Sequence, residues 1–473
     1  MNAGVLFKKL NTKAAVTEFL GTGALTLVVA LVTSSLSTLS RGQQAVGVGA
    51  AVLTLILTGL KSSGANYNPV ISLSLLLLGK ITLGRGILYL CSQVAGALTG
   101  GALARALVGS AGRLRDPSFL LSPPILCMES FFSFALVLLV LHASVSSGAQ
   151  ANGRNQHFAG AIAVFVSVAA ALGASMNPAV ASGLFLSTGT SQGLGALWAV
   201  PVLASIPAVG LYRLSDPDEA IALPSVPAFL SRLLPGGANG SQRIGAWREY
   251  MNEGVGAFLL TGTLLFASLT GAVPGPIAAG AMLFSLLLST AHLSGIHLNP
   301  AVTLGLFVRK GRLDRRAWAH SLGYVFAQFL GAFLAAHVGR VACGPELAGM
   351  AVPSLPLGVS PLQAFAAETL CTGALMQAIG IFRVNPTWPI MLSPLAIATA
   401  LTACLMSASG LSGGGLNPAV VSALYLAKFS AKEWPNVWVY GVGPIVGSVL
   451  VGLADRFGVE KGGGAGEERV EGG

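Results

Sequence analysis

The chain has 473 residues, of which 53% are hydrophobic and only 9% are charged, whereas a soluble domain carries about a quarter charged residues. Its net charge of +10 does not require a nucleic acid partner, because Lys and Arg also gather in the cytoplasmic loops of membrane proteins. Stretches such as 155–212, 254–308 and 384–427 carry almost no charge, and each exceeds the roughly 20 apolar residues that cross a bilayer. Composition therefore argues against a soluble fold and predicts a polytopic membrane protein.

The amino terminus predicts no cleavable signal peptide, because 1–7 is a short apolar stretch that lysines follow at once. In chain order, the first half then predicts six spans and two half-length helices. The spans are 14–36, 43–60, 84–108, 125–147, 157–174 and 192–213, and the half-length helices are 68–78 and 177–187.

A second half repeats this order after a Pro/Gly/Ser-rich stretch. Its spans are 247–270, 275–293, 317–343, 360–382, 389–408 and 433–454, and its half-length helices are 299–308 and 417–427. The predicted domains are 1–214 and 244–455, with a linker at 215–243 and a flexible, Gly-rich tail at 456–473. The five cysteines show no metal-ligand spacing, so neither a metal site nor a cofactor is expected.

Four Asn-Pro motifs open the half-length helices in nearly the same context. They are Asn68-Pro69-Val70, Asn177-Pro178-Ala179, Asn299-Pro300-Ala301 and Asn417-Pro418-Ala419. A glutamate lies 46 to 50 residues before each asparagine, in the order Glu18, Glu129, Glu253 and Glu368. The repeat predicts a duplication of a duplication. A fifth pair, Asn385-Pro386-Thr387, lacks this context and is predicted to be a loop turn.

These motifs resemble the aquaporin, or major intrinsic protein, family over nearly the whole chain, twice. The resemblance implies an all-α membrane fold of two right-handed helical bundles, each with six transmembrane helices and two re-entrant half-helices. It implies a passive channel in which the asparagine amides of the four motifs donate hydrogen bonds to the permeating molecule. It also implies that the four glutamates support the re-entrant loops, although an ionisable group in a membrane is by default a functional-site hypothesis.

Half-length helices have a physical meaning independent of the family. A helix that starts at mid-depth leaves backbone groups free, which is tolerated only beside water or protein. Two such helices that enter from opposite faces bring their positive amino ends together and repel cations. Proline suits the first helical turn and asparagine caps it, so the motif has a purely structural interpretation as well as the pore interpretation.

The sequence departs from the family at the outer constriction, where an arginine ordinarily follows the second motif. Here the residue is valine in both halves. Spacing predicts the constriction residues Val48, Phe165, Ala174 and Val180 in the first half, and Ala279, Leu405, Gly414 and Val420 in the second. An apolar mouth predicts passage of water and of small neutral solutes such as glycerol, urea or ammonia. The first half also has Val70 for alanine and Asn66 where the second has His297, which predicts a first pore that conducts less, or differently.

Charge distribution predicts cytoplasmic termini, because 20 of the 27 Lys and Arg residues then lie on the inside. The family forms tetramers, so a homodimer of this chain, with four pores, is expected. A secondary transporter and a poorly conducting structural or junctional protein remain alternatives. No nucleophile, base or metal constellation suggests an enzyme.

Overall fold

The computed structural model describes residues 12–34, 36–109, 121–146, 157–188, 193–216, 240–311, 314–345, 351–384, 389, 391–428 and 435–462. These residues form two compact units, one mostly from residues up to 222 and the other mostly from residues after it. The predicted turn at 385–387 lies outside the described residues, as do most of the predicted linker and the end of the predicted tail.

The first unit is built from helices alone in its described residues. They are α1 Thr12–Val32, α2 Arg41–Ser63, α3 Pro69–Leu77, α4 Leu83–Val108, α5 Pro123–Val140 with a π-helical turn at Leu141–Val145, α6 Phe158–Leu172, α7 Pro178–Thr188 and α8 Leu194–Ser215.

The second unit repeats the order of the first. Its described helices are α9 Gly240–Thr270, α10 Gly275–Ser294, α11 Pro300–Lys310, α12 Arg315–Cys343, α13 Pro361–Val384, α14 Leu392–Ser412, α15 Pro418–Lys428 and α16 Val437–Gly462. In each unit the third and seventh helices are the half-length ones.

Eleven of the twelve predicted spans have membrane-spanning length, and α6 is the exception. Among the described residues, eleven helices are long and apolar enough to cross a bilayer, which confirms the predicted all-α membrane fold. The described part of α6 has only 15 residues, about 22 Å at 1.5 Å per residue. Two ends differ from prediction: α9 begins at Gly240 within the predicted linker, and α16 continues to Gly462 within the predicted tail.

Close packing of α1 on α4 depends on glycine. A Cβ atom on Gly96 would overlap the main-chain oxygen of Phe19, and one on Gly100 would overlap that of Gly23. Small residues let membrane helices approach until their backbones touch, which replaces the hydrophobic driving force that lipid does not provide. This packing fixes α1, which carries Glu18, against α4.

Candidate functional site

The half-length helices start at the Asn-Pro motifs because the asparagine caps them. The Asn68 side chain accepts a 2.9 Å hydrogen bond from the Val70 N–H, and Asn299 accepts one of 2.9 Å from Ala301. Proline occupies the first helical position in both, where its missing N–H would have had no partner. The local sequence thus accounts for a helix that begins at the motif.

Each unit joins its two motifs by a reciprocal pair of hydrogen bonds. In the first unit, Asn68 Nδ2 donates to Met176 O and Asn177 Nδ2 donates to Tyr67 O, both at 2.8 Å. The second unit has the same pair of 2.8 Å bonds, from Asn299 to Leu416 O and from Asn417 to Leu298 O. The amino ends of the two half-helices in a unit therefore face each other.

Each asparagine amide retains a donor beyond this cross-link. An Asn amide carries two N–H groups, and in Asn68 and Asn177 one of them serves the facing loop. Both side chains line a cavity in the first unit. The second N–H of each is therefore available to a molecule in that cavity.

The residue directly before each asparagine adopts a left-handed backbone. The φ values are 50° for Tyr67, 56° for Met176, 53° for Leu298 and 50° for Leu416. Such a conformation is uncommon outside glycine and costs of order 1–3 kcal/mol. In all four, the main-chain N–H reaches a buried glutamate while the carbonyl accepts the opposite asparagine. The strained residue thus connects both parts of the site.

Glu18 and Glu253 each accept four hydrogen bonds in matching arrangements. For Glu18 the donors are Ser63 Oγ at 2.5 Å, Asn66 N at 3.0 Å, Tyr67 N at 2.7 Å and Gln93 Nε2 at 2.8 Å. For Glu253 they are Ser294 Oγ at 2.8 Å, His297 N at 2.9 Å, Leu298 N at 2.7 Å and Gln328 Nε2 at 2.8 Å. Both carboxylates are fully buried, so these bonds replace their hydration.

Glu129 and Glu368 bind the loop before the second motif of their unit. Glu129 accepts from Ser175 N at 2.7 Å and Met176 N at 2.6 Å. Glu368 accepts from Gly415 N at 2.8 Å and Leu416 N at 2.6 Å, and its third donor is Ser412 Oγ at 2.5 Å. All four glutamates therefore contact the re-entrant loops through main-chain N–H groups.

Two glutamines belong to this site although the sequence reasoning did not find them. Gln93 and Gln328 each bridge their glutamate to a hydroxyl on the first half-helix, Ser72 Oγ or Thr303 Oγ1, at 2.9 Å. Each lies 75 residues after its glutamate. That recurring separation was readable in the sequence once the repeat had been aligned.

The two residues predicted to distinguish the pores occupy equivalent places. Asn66 Nδ2 donates to Ser72 Oγ at 3.1 Å, and His297 Nδ1 lies 3.2 Å from Thr303 Oγ1. Both therefore contact the hydroxyl to which the glutamine is bonded. The difference between the units here is an amide against an imidazole.

A cavity of about 1260 Å³ runs through the first unit. Arg41, the first residue of α2, and Ser63, its last, both line it. This helix has 23 residues, about 34 Å at 1.5 Å per residue, so the cavity follows a complete span. Asn68 and Asn177 also line its wall.

Three of the four constriction residues predicted for the first unit line this cavity. Val48 lies on α2, Ala174 on the loop after α6, and Val180 in the first turn of α7. Each is buried in the unit. The wall at these positions is apolar.

The prediction for Phe165 is wrong, because this residue is not part of the cavity wall. The α6 residues that line the cavity are Phe158, Ile162, Val166, Ala170 and Ala171. The Phe165 ring is buried and packs against Phe132 of α5, with 5.9 Å between ring centroids. The residue predicted from spacing therefore faces the protein and not the cavity.

A different register of α6 on α2 explains this error. A Cβ on Gly49 would lie 2.8 Å from Ala163 O, 14 residues before the Asn177 motif. In the second unit a Cβ on the equivalent Gly280 would lie 3.0 Å from Ala398 O, 19 residues before its motif. Five residues rotate a helix by about 140° beyond a full turn. Because the same spacing was counted back from the motif in both repeats, it misassigns the lining face of α6.

The prediction for Val70 is also wrong. Its side chain was expected to add methyl groups near the narrowest part of the first pore. In the structure its side chain is buried at 1% exposure, and the cavity wall beside Asn68 is formed by Ile71 and Leu75. The substitution of alanine by valine thus falls in the packing behind the half-helix.

The second unit brings two of its predicted constriction residues together. Gly414 has φ of +74°, and a Cβ there would lie 2.7 Å from Leu405 O. Ala279 and Val420 are buried at 1% and 3% exposure. Leu405 and Gly414 therefore pack directly, in a conformation that requires glycine.

Comparison with known proteins gives a consistent result over both units. The family model described as major intrinsic protein matches residues 6–212 and 241–454. Aquaporin TIP1-1 of Arabidopsis thaliana is 32% identical over 188 residues, which are 39% of this chain and 70% of that protein. Aquaporin TIP4-2 of Zea mays is 32% identical over 228 residues, 44% of this chain and 84% of that protein.

A solved structure is also similar to part of the chain. It is the aquaglyceroporin from Plasmodium falciparum, with 26% identity and a TM-score of 0.37, and the match covers 44% of this chain and 94% of that one.

Proposed function

The chain belongs to the major intrinsic protein family as a tandem duplication, a family of membrane channels for water or small solutes, and on that premise we propose that each unit is a passive channel for water and small neutral solutes such as glycerol, urea or ammonia. The channels exclude protons and other ions. Membership of this family also argues against an enzyme.

The observation that carries the proposal is the cavity of the first unit. It follows α2 from Arg41 to Ser63, a length comparable to the roughly 30 Å hydrocarbon core of a bilayer. Backbone groups that end at mid-depth need water or protein beside them, and a water-filled void of that length supports a conduit. The asparagines of both motifs stand on its wall.

Ion exclusion follows from the meeting of the two half-helices. Each contributes a positive amino end through its macrodipole and its free N–H groups, and the asparagine cross-links hold the two ends together. Aquaporin-type pores exclude protons and cations by half-helix dipoles of this kind. A neutral solute instead accepts the remaining asparagine N–H groups.

Solute range depends on the constriction residues. Val48, Ala174 and Val180 give the first channel a wall without a fixed donor or charge at the position where the family has an arginine. Ala279, Leu405, Gly414 and Val420 are the corresponding residues of the second channel. Apolar walls of this kind favour the passage of neutral solutes larger than water alongside water itself.

The four glutamates serve as supports for the re-entrant loops and not as proton carriers. Their oxygens are occupied by main-chain N–H and side-chain donors in both units. The distribution of Lys and Arg supports cytoplasmic termini. The tetrameric assembly of the family supports a homodimer with four pores.

Stopped-flow permeability of proteoliposomes tests the proposal. The intact chain is expected to increase the flux of water, glycerol, urea and ammonia above that of protein-free liposomes, without a proton or sodium gradient. Flux of water alone would contradict the broad solute range. Uptake against a gradient would instead favour a secondary transporter, and no flux of any solute would favour a structural protein.

A further inference from the structure

Among the residues that the structure describes, the charged ones that line the cavity of the first unit are mostly cations. They are Arg41, Lys80, Arg85 and Glu129. The single carboxylate among them is only 2% exposed, and its two oxygens accept main-chain N–H groups of the loop before Asn177. A solute in this cavity therefore meets cationic side chains at both ends.

Arg85 is held at the cavity wall by neutral partners. Its Nε and Nη2 atoms donate to Tyr89 Oη at 2.9 and 2.6 Å, and Nη2 lies 3.3 Å from Ser63 O. Within the part of the chain that the structure describes, no carboxylate forms an ion pair with Arg85. A guanidinium stays charged at every physiological pH, so this is a fixed positive charge at the Ser63 end of the channel.

Glu18 stands behind this group and does not replace it in the channel. Its carboxylate accepts from Ser63 Oγ and three other donors, is fully buried, and is absent from the cavity wall among the described residues. Of these two groups, it is therefore Arg85 and not Glu18 that a permeating molecule approaches.

The second unit differs at the equivalent position. Tyr324 Oη lies 2.7 Å from Ser294 O, as Tyr89 Oη lies 2.7 Å from Ser63 O. Four residues before Tyr324, where the first unit has Arg85, stands His320, whose Nε2 is 3.3 Å from Glu249 Oε2. Tyr324 Oη also donates to that carboxylate at 2.9 Å. A carboxylate and an imidazole thus replace the unpaired guanidinium.

We propose that Arg85 is a specificity-determining residue of the first channel, where it rejects cationic solutes in favour of neutral ones of the same size. The inference rests on the proposed channel function. Arg85 places a fixed charge at the Ser63 end of the pore, whereas Val180 at the outer constriction carries no charge. Removing that charge weakens the barrier to cations by at least about tenfold, since unit charges a few ångströms apart interact strongly where water is sparse.

Urea and guanidinium provide the test, because the two are planar and nearly equal in size but differ in charge. The permeability ratio of guanidinium to urea is measured in proteoliposomes with the intact chain, Arg85→Gln and Arg85→Lys. We expect the ratio to rise at least about tenfold in Arg85→Gln and to stay near that of the intact chain in Arg85→Lys. An unchanged ratio in Arg85→Gln with urea flux retained would overturn the proposal.

Two further variants assign the effect to the first channel. Val180→Trp, on the cavity wall, combined with Arg85→Gln should abolish the gain in guanidinium flux. The matched Val420→Trp in the second unit should leave the gain in place. A gain that persists with Val180→Trp and disappears with Val420→Trp contradicts the proposal.

Arg85→His distinguishes the proposed electrostatic role of Arg85 from a purely structural one. It also keeps the proposal testable if the glutamine variant fails to insert into the membrane. The imidazole carries charge at pH 5.5 and loses it by pH 8.5, so the ratio should rise with pH in this variant and remain constant in Arg85→Lys. A pH-independent ratio in Arg85→His overturns the proposal. Absence of urea and water flux from the intact chain would refute the channel function itself, which is a distinct outcome.

Discussion

The main-chain N–H of Tyr67 donates a 2.7 Å hydrogen bond to the carboxylate of Glu18, 49 residues earlier in the chain. The carbonyl of the same Tyr67 accepts the Asn177 amide at 2.8 Å. A single strained residue therefore links the buried glutamate on α1 to the opposite half-helix. Because Leu298 has the same two bonds to Glu253 and Asn417, loop position and pore geometry are coupled in both units.

Loss of the Glu18 carboxylate is expected to destabilise the first unit. Glu18→Ala leaves four buried donors without their acceptor, at about 1–3 kcal/mol for each donor that finds no substitute, so a total of at least about 3 kcal/mol is expected. Thermal unfolding in detergent measures the effect. Glu249→Gln is the control, because that side chain is 36% exposed and its loss should cost about 1 kcal/mol or less. Equal effects of both variants would contradict a supporting role of Glu18.

The two pores are expected to contribute separately to water flux. Asn68→Asp replaces a donor by an acceptor that faces the Met176 carbonyl, and Asn299→Asp does the same opposite Leu416. A loss of about 1.4 kcal/mol in stabilisation of the permeating molecule lowers the flux through that pore about tenfold. Each single variant should therefore retain the flux of the other pore.

Stopped-flow measurement of the double variant provides the control for that separation. Its water permeability should approach that of protein-free liposomes. A single variant that abolishes all flux would show instead that one unit conducts for the whole chain.

A guanidinium at position 180 should restore a narrower mouth in the first channel. Val180 lines the cavity, so the longer, charged side chain of Val180→Arg occupies space that glycerol and urea need. We expect glycerol flux through this channel to fall more than water flux. Val180→Leu, which adds one methylene without charge, is the matched control and should change the glycerol-to-water ratio less than twofold, roughly the effect of a fraction of a kcal/mol. An equal fall of both fluxes would indicate collapse of the channel.

Sequence predicted most of the fold, because helix ends and half-helix starts are set locally. Asn68 and Asn299 cap their helices through their own side chains, and charge-free segments of span length have few alternatives in a bilayer. Contacts that depend on how two helices are rotated against each other were harder to predict from the sequence. Val70 lies behind the half-helix, and Phe165 faces Phe132, because the packing of distant segments determines which side of a helix lines the cavity.

Residues that lie far from the motifs along the chain could not be assigned to the site from the local sequence either. Gln93 donates to Glu18, which lies 75 residues earlier. Arg85 lines the cavity, where its guanidinium donates to Ser63 O. A glutamine or an arginine in an apolar helix has many structural interpretations. The repeated separation of Glu253 and Gln328 indicates the pair, but the sequence does not reveal that Arg85 stands at a channel wall.

The last prediction concerns the face of α6 that lines the cavity. Val166 belongs to the cavity wall and Phe165 to the packing against α5. Val166→Phe should therefore obstruct the first channel and lower urea flux, with little effect on stability, since the ring enters an existing space. Phe165→Leu should leave the ratio of urea to water flux unchanged but lower the unfolding temperature, at a cost of roughly 1–1.5 kcal/mol for a smaller core residue. Permeability and thermal unfolding measured on the same two preparations distinguish the alternatives: a change in solute selectivity in Phe165→Leu, with Val166→Phe neutral, would restore the residue assigned from motif spacing.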